Sequence, residues 1–93
     1  MQEHYQLLLT IYEIVKNDPQ PEHYGCRPRE LILRQLKEWS VIHSHLQMLQ
    51  DEGLVSMEQQ DTLVIRITPA GLQTAREPDT LVDDDQGTNL QKS

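Results

Sequence analysis

Apolar positions between Glu3 and Asn17 recur with a helical period. Tyr5, Leu7, Leu8, Leu9, Ile11, Tyr12, Ile14 and Val15 are interleaved with Glu3, Gln6, Thr10, Glu13 and Asn17. At about 100° per residue the polar set falls in one narrow arc, while the apolar set sweeps roughly 220°. A helix lying on one side of a small core needs a stripe of only about 100°. Two readings follow. Either this helix is central and mostly buried, or its spare face, carrying Leu7, Leu8, Ile11, Ile14 and Val15, pairs with a second copy.

The segment "NDPQPEHYGCRP" ends that pattern, because Pro19, Pro21, Gly25 and Pro28 are turn and boundary residues. Pro28 suits the first position of a second helix, predicted over 28–37 with Leu31, Ile32 and Leu36 turned inward. A third helix is predicted over 40–52, with Ile42, Leu46 and Leu49 inward at i, i+4 and i+7. Gly53 ends it as a left-handed cap. The period then changes from helical to alternating. "LVSMEQ" and "TLVIRIT" read as the arms of a hairpin with a polar turn near Gln60-Asp61. In the second arm Leu63, Ile65 and Ile67 face one way, Val64 and Arg66 the other. Thr68 as N-cap and Pro69 at the first position start a last short helix, with Leu72 and Ala75 toward the core. Residues 1–76 thus form one domain. Residues 77–93, with a block of three Asp and little to bury, read as a disordered acidic tail.

Composition changes the picture in three respects. The 93 residues include no Phe, one Trp and three Tyr, so Leu, Ile and Val must build the core. No apolar run reaches the ~18–20 residues of a membrane span, and "MQEHYQLLLT" lacks the basic start of a signal peptide. The single Cys excludes an intramolecular disulfide and fits a reducing cytoplasm. The net charge is −7, of which residues 77–93 carry −4. The remaining domain is mildly acidic, whereas a protein that grips nucleic acid strongly and non-specifically shows a basic footprint.

Two marks then stand out, "HLQMLQDEGLV" and "ITPAGLQ". Together, at this separation, residues 29–75 resemble the winged helix-turn-helix of small bacterial and archaeal regulators, the MarR-like and PadR-like groups. The resemblance implies a mainly α fold with a small β-hairpin wing, and a DNA-binding transcriptional regulator, usually a homodimer, with double-stranded DNA as partner. In such a domain the third helix enters the major groove and its outward residues meet base edges and phosphates. Those residues are Ser40, His43, Ser44 and Gln47, with Gln50 and Asp51 beyond. None is Arg or Lys, although Arg to guanine is the commonest specific contact. Phosphate contacts would come from Arg27, Arg29, Arg34 and Lys37 around the second helix and Arg66 on the second strand. As ordinary solvated charges they would do no such thing. The wing tip, Glu58, Gln59, Gln60 and Asp61, would carry two acids toward phosphates, so this wing is not expected to enter a minor groove. The alternative is a winged-helix module that binds another protein without touching DNA.

Other chemistry has little support. His23 and Cys26 form an H-x-x-C pair, but a structural zinc needs four ligands, and His4, His43 and His45 lie scattered. Cys26 is expected half-buried beneath its loop. No nucleophile with a base, no phosphate-cradling Gly loop and no paired carboxylates in a pocket mark an enzyme, and no cofactor is called for. Trp39 is expected to act as a lid over the second and third helices.

Overall fold

The computed structural model describes residues 2–77. In chain order these are α1 (Glu3–Val15), a one-turn 3-10 helix (Pro21–His23), α2 (Pro28–Gln35), α3 (Trp39–Asp51), β1 (Val55–Gln59), β2 (Leu63–Ile67) and α4 (Pro69–Arg76). This is the helix–helix–helix–hairpin–helix order that the periodicities predict. The acidic segment from Pro78 onward lies outside the described residues.

The first of the two readings of α1 is the one the structure takes. The helix packs against α2, α3, α4 and β2 together, so its wide apolar arc has a neighbour on most sides. Leu7, Leu8, Ile11 and Val15 are fully buried inside the chain's own core. Those four side chains are therefore occupied and offer no face to a second copy, which corrects the assignment made from the sequence. Ile14, with Leu9 and Tyr12, is half-buried against the same core.

The two helices that follow are set by their ends. Glu30 accepts the backbone N–H of Arg27 at 2.9 Å, satisfying one of the free donors at the start of α2. Its other oxygen accepts the Tyr24 hydroxyl at 2.9 Å. α2 stops two residues before its predicted end. Leu36 closes it in the left-handed region, φ 56°, with its N–H on the carbonyl of Ile32. Leu36 was expected inside; it is 85% exposed. Reversing direction there swings its side chain out of the helix's inward row, so the core keeps Leu31 and part of Ile32. A side chain bearing a Cβ is disfavoured at positive φ by about 1–2 kcal/mol, Asn less so. Leu36→Asn is therefore expected to raise stability by about 0.5–1 kcal/mol, a gain of a few degrees in Tm for a domain of this size. A fall in Tm would show that the leucine is held by packing that the fold does not display.

α3 ends as predicted. Gly53 has φ 77°, its N–H reaches the carbonyl of Gln50, and the N–H of Leu54 reaches that of Leu49. This is the paired 6→1 and 5→2 closure that a glycine permits. The chain then enters β1, which pairs antiparallel with β2 in the register Val55↔Ile67, Met57↔Ile65 and Gln59↔Leu63. Val55, Ile65 and Ile67 face the core.

The second face of the hairpin is partly covered as well. Val64 is buried because the segment before α2 crosses over it. Cys26 exchanges both backbone hydrogen bonds with Ile65, at 2.7 and 2.9 Å, adding a one-residue bridge on the free edge of β2. Gly25 passes close over the Val64 side chain. Cys26 itself is fully buried, more deeply than predicted. Thr68 caps α4 as expected, its hydroxyl accepting the N–H of Gly71 at 2.9 Å and donating to the carbonyl of Gly53 at 2.7 Å. Leu72 and Ala75 enter the core.

Candidate nucleic-acid interface

α3 buries one stripe and presents the opposite one. Ile42, Leu46 and Leu49 have no exposed surface, whereas Ser40, Ser44, Gln47, Gln50 and Asp51 are exposed. The 3.6-residue period makes the second set follow from the first: once 42, 46 and 49 point inward, 40, 44, 47 and 51 point away. The sequence pattern did not single out two flanking residues. Val41 and Met48 are 40% and 44% exposed, along one side of the polar strip.

The histidines behave differently from one another. His43 is half-buried and stacks against Trp39, ring centroids 5.4 Å apart, so it lines the flank of the strip and not its centre. Trp39 is half-buried against the core, as a lid would be. His45 points the other way, with Nε2 3.8 Å from a Glu3 oxygen. His4 is almost wholly buried and bonds Glu52 at 2.9 Å, while the Tyr5 hydroxyl donates to the other Glu52 oxygen at 2.7 Å. Glu52 thereby fastens the end of α3 to the start of α1. Nothing in the local sequence pattern signals that tie, since its partners lie 47 and 48 residues apart.

The five cations proposed as phosphate contacts separate into two groups. Arg66 bonds Glu58 at 2.8 Å on the outer face of the hairpin, and that contact holds the Glu58 carboxyl below its ordinary value. Lys37 stands 4.0 Å from Glu3, and Arg27 donates to the Thr62 hydroxyl at 2.6 Å, linking the start of α2 to the wing turn. Arg29 and Arg34 are exposed and make no ion pair among the described residues. An open cleft of about 500 Å³ lies between the start of α2 and the wing, lined by Arg27, Pro28, Arg29, Glu30 and Thr62. The wing turn adds Glu58, Gln59, Gln60 and Asp61, all exposed, with two acids and no cation.

Among the described residues no three His, Cys, Asp or Glu side chains come together to hold a metal ion. His23 bonds Gln20 at 3.0 Å, and the Cys26 thiol is pushed up to about 12, chiefly by burial. Burial of this kind disfavours the thiolate, the form that acts as a nucleophile. No described helix is long and apolar enough to cross a membrane.

No protein-family model and no curated protein matches the chain. Solved structures do match its shape. AF1382 from Archaeoglobus fulgidus superimposes with a TM-score of 0.69 at 16% identity, covering 92% of this chain and 90% of that one. The transcriptional regulator BldR from Sulfolobus solfataricus gives 0.64 at 20% identity, covering 81% of this chain and 52% of that one. A MarR-family transcriptional regulator from Silicibacter pomeroyi gives 0.61 at 23% identity, covering 76% and 47%. The fold is a winged helix-turn-helix. At these identities the likeness establishes architecture and not activity, and the chain spans about half the length of the two regulators.

Proposed function

We propose that this protein is a small DNA-binding transcriptional regulator that sets α3 in the major groove. Arg29 and Arg34 of α2 would lie on the flanking phosphates. One observation carries the reading: an exposed polar strip on α3, Ser40, Ser44 and Gln47, belongs to a helix packed against α2, whose exposed Arg29 and Arg34 make no ion pair among the described residues. The fold supports it, since two structural neighbours are named as transcriptional regulators. The net charge of −7 counts against a strong non-specific grip, but more than half of the excess belongs to residues 77–93, and a net negative charge leaves room for local positive potential on one face. The wing stays out of the minor groove, because Glu58 and Asp61 would face phosphates there.

A polarisation titration of the protein on a mixed-sequence duplex of about two helical turns tests this at low salt. Binding is expected, with affinity falling steeply as salt rises. Replacing both Arg29 and Arg34 with Ala should weaken every duplex alike and make the log–log salt slope shallower by about 2, near 0.9 for each phosphate left without its cation. Absence of binding at micromolar protein would overturn the proposal.

A second reading has its own support. Leu33 and Leu36 are 66% and 85% exposed at the end of α2, which suits a protein-binding module better than a phosphate-facing surface. Under that reading the Arg29/Arg34 variant is silent in the DNA titration, because there is no binding to lose.

A further inference from the structure

The α3 strip has a composition that selects among bases. Its exposed members in the first three turns are Ser40, Val41, Ser44, Gln47 and Met48. It offers amide and hydroxyl groups in the middle, two apolar side chains along one edge, and no guanidinium or ammonium anywhere. Major-groove pairing rules give each of these a partner. Glutamine matches adenine through N6 and N7, serine accepts or donates to either kind of pair, and apolar side chains pack on the thymine C5-methyl. Guanine is read chiefly by Arg or Lys, and the strip has neither. Asp51, the one acid on this face, lies about 16 Å along the axis from Ser40. Base reading on this account runs from Ser40 to Met48, and Asp51 lies about one turn further along the helix.

We infer that α3 selects A·T over G·C pairs in the major groove, with Gln47 on adenine and Val41 and Met48 on thymine methyl groups. This rests on the DNA-binding reading above and names the substrate that such a site would take. The exposure of Val41 and Met48 gains a purpose on this account: each is a partner for a methyl group that only thymine carries among the four bases. A·T selectivity can also arise from a narrow minor groove. The two origins differ in one atom group, since the C5-methyl projects into the major groove alone.

The test uses four duplexes of equal length at one low salt concentration: a mixed A·T-rich sequence without A-tracts, a G·C-rich one, the A·T-rich sequence with deoxyuridine for thymidine, and the G·C-rich one with 5-methylcytosine. The expected result is binding to the A·T-rich duplex about tenfold tighter than to the G·C-rich one. Deoxyuridine should remove a several-fold part of that preference, and 5-methylcytosine should restore part of it to the G·C-rich duplex. Met48→Ser should reduce the response to the methyl groups, and Met48→Ser combined with Val41→Ser should abolish it. Gln47→Ala should narrow the A·T preference on both the thymidine and the deoxyuridine duplexes. These side chains are exposed, so the variants are expected to fold. Equal affinity for the two base compositions, or a preference that deoxyuridine leaves unchanged, overturns this inference while DNA binding stands. Binding to none of the four removes the DNA reading itself.

Discussion

Replacing Gly71 with alanine is expected to cost about 3 kcal/mol or more, at the upper end of overpacking substitutions, and to lower the urea midpoint by about 1 M or more. Helix propensity alone predicts the opposite sign, since Ala is favoured over Gly in a helix interior by about 1 kcal/mol. Packing decides. A Cβ at position 71 would stand 2.0 Å from the carbonyl oxygen of Leu54 and 2.8 Å from Cγ1 of Ile67. The nearer obstacle is backbone, so no rotamer change relieves it. The Leu54 carbonyl also accepts the N–H of Thr68 at 3.1 Å, and the Thr68 hydroxyl donates to Gly53 at 2.7 Å. Moving α4 away would break those bonds and expose Leu72 and Ala75. Ala70→Gly is the control: the neighbouring residue is exposed, and its cost should not exceed about 1 kcal/mol. A Gly71→Ala protein as stable as its parent would mean that α4 does not press on the start of β1.

The same glycine shows what was legible in the sequence. "ITPAGLQ" places a cap, a proline and a glycine in fixed order, and the cap and helix start follow from local chemistry alone. That the glycine is needed for a carbonyl seventeen residues earlier is not local, and no periodicity reveals it. The pattern holds elsewhere. Ile42, Leu46 and Leu49 could be assigned inward because a helix has one period and a small core lies on one side. Gly53 could be read as a left-handed cap because few other residues tolerate positive φ. Val64 could not be assigned, since alternation says which residues share a face and not whether a loop covers it. Leu36 fits an inward helical row until the helix stops one residue before it. The spare arc of α1 was ambiguous for a related reason. A wide apolar arc reports how many sides are covered, and three helices with a strand cover it as well as a second copy would.

The candidate site was legible to the same depth. The polar strip follows from the helical period and requires no tertiary information. Which cations remain available does not, because pairing depends on residues distant in the chain. Arg66 meets Glu58 only once the hairpin closes, and Lys37 meets Glu3 only once α1 lies beside the turn. Among the described residues, three of the five candidate phosphate contacts have no acidic partner, Arg27, Arg29 and Arg34, and of these Arg27 is engaged by the Thr62 hydroxyl.

Leu46→Ala is expected to cost about 2–5 kcal/mol, a large share of the roughly 4–11 kcal/mol that a domain of this size commands. The reason lies in how α3 is held. Its polar ties are uneven: Glu52, just past the C-terminal end, fastens to His4 and Tyr5, while Glu38 makes no side-chain cap at the N-terminal end. The half that displays Ser40 and Ser44, and the turn after it that carries Gln47, are thus positioned by Ile42 and Leu46 packing into the core. Truncating Leu46 leaves a void whose lining cannot fully collapse. Leu46→Met, which keeps the volume, should cost less than about 1.5 kcal/mol. Gln47→Ala, one residue along, should change stability by no more than about 0.5 kcal/mol. Urea titrations of the three variants set the two faces of α3 against each other. A Gln47→Ala protein as destabilised as Leu46→Ala would place the glutamine inside, and the strip offered to a partner would then belong to the core.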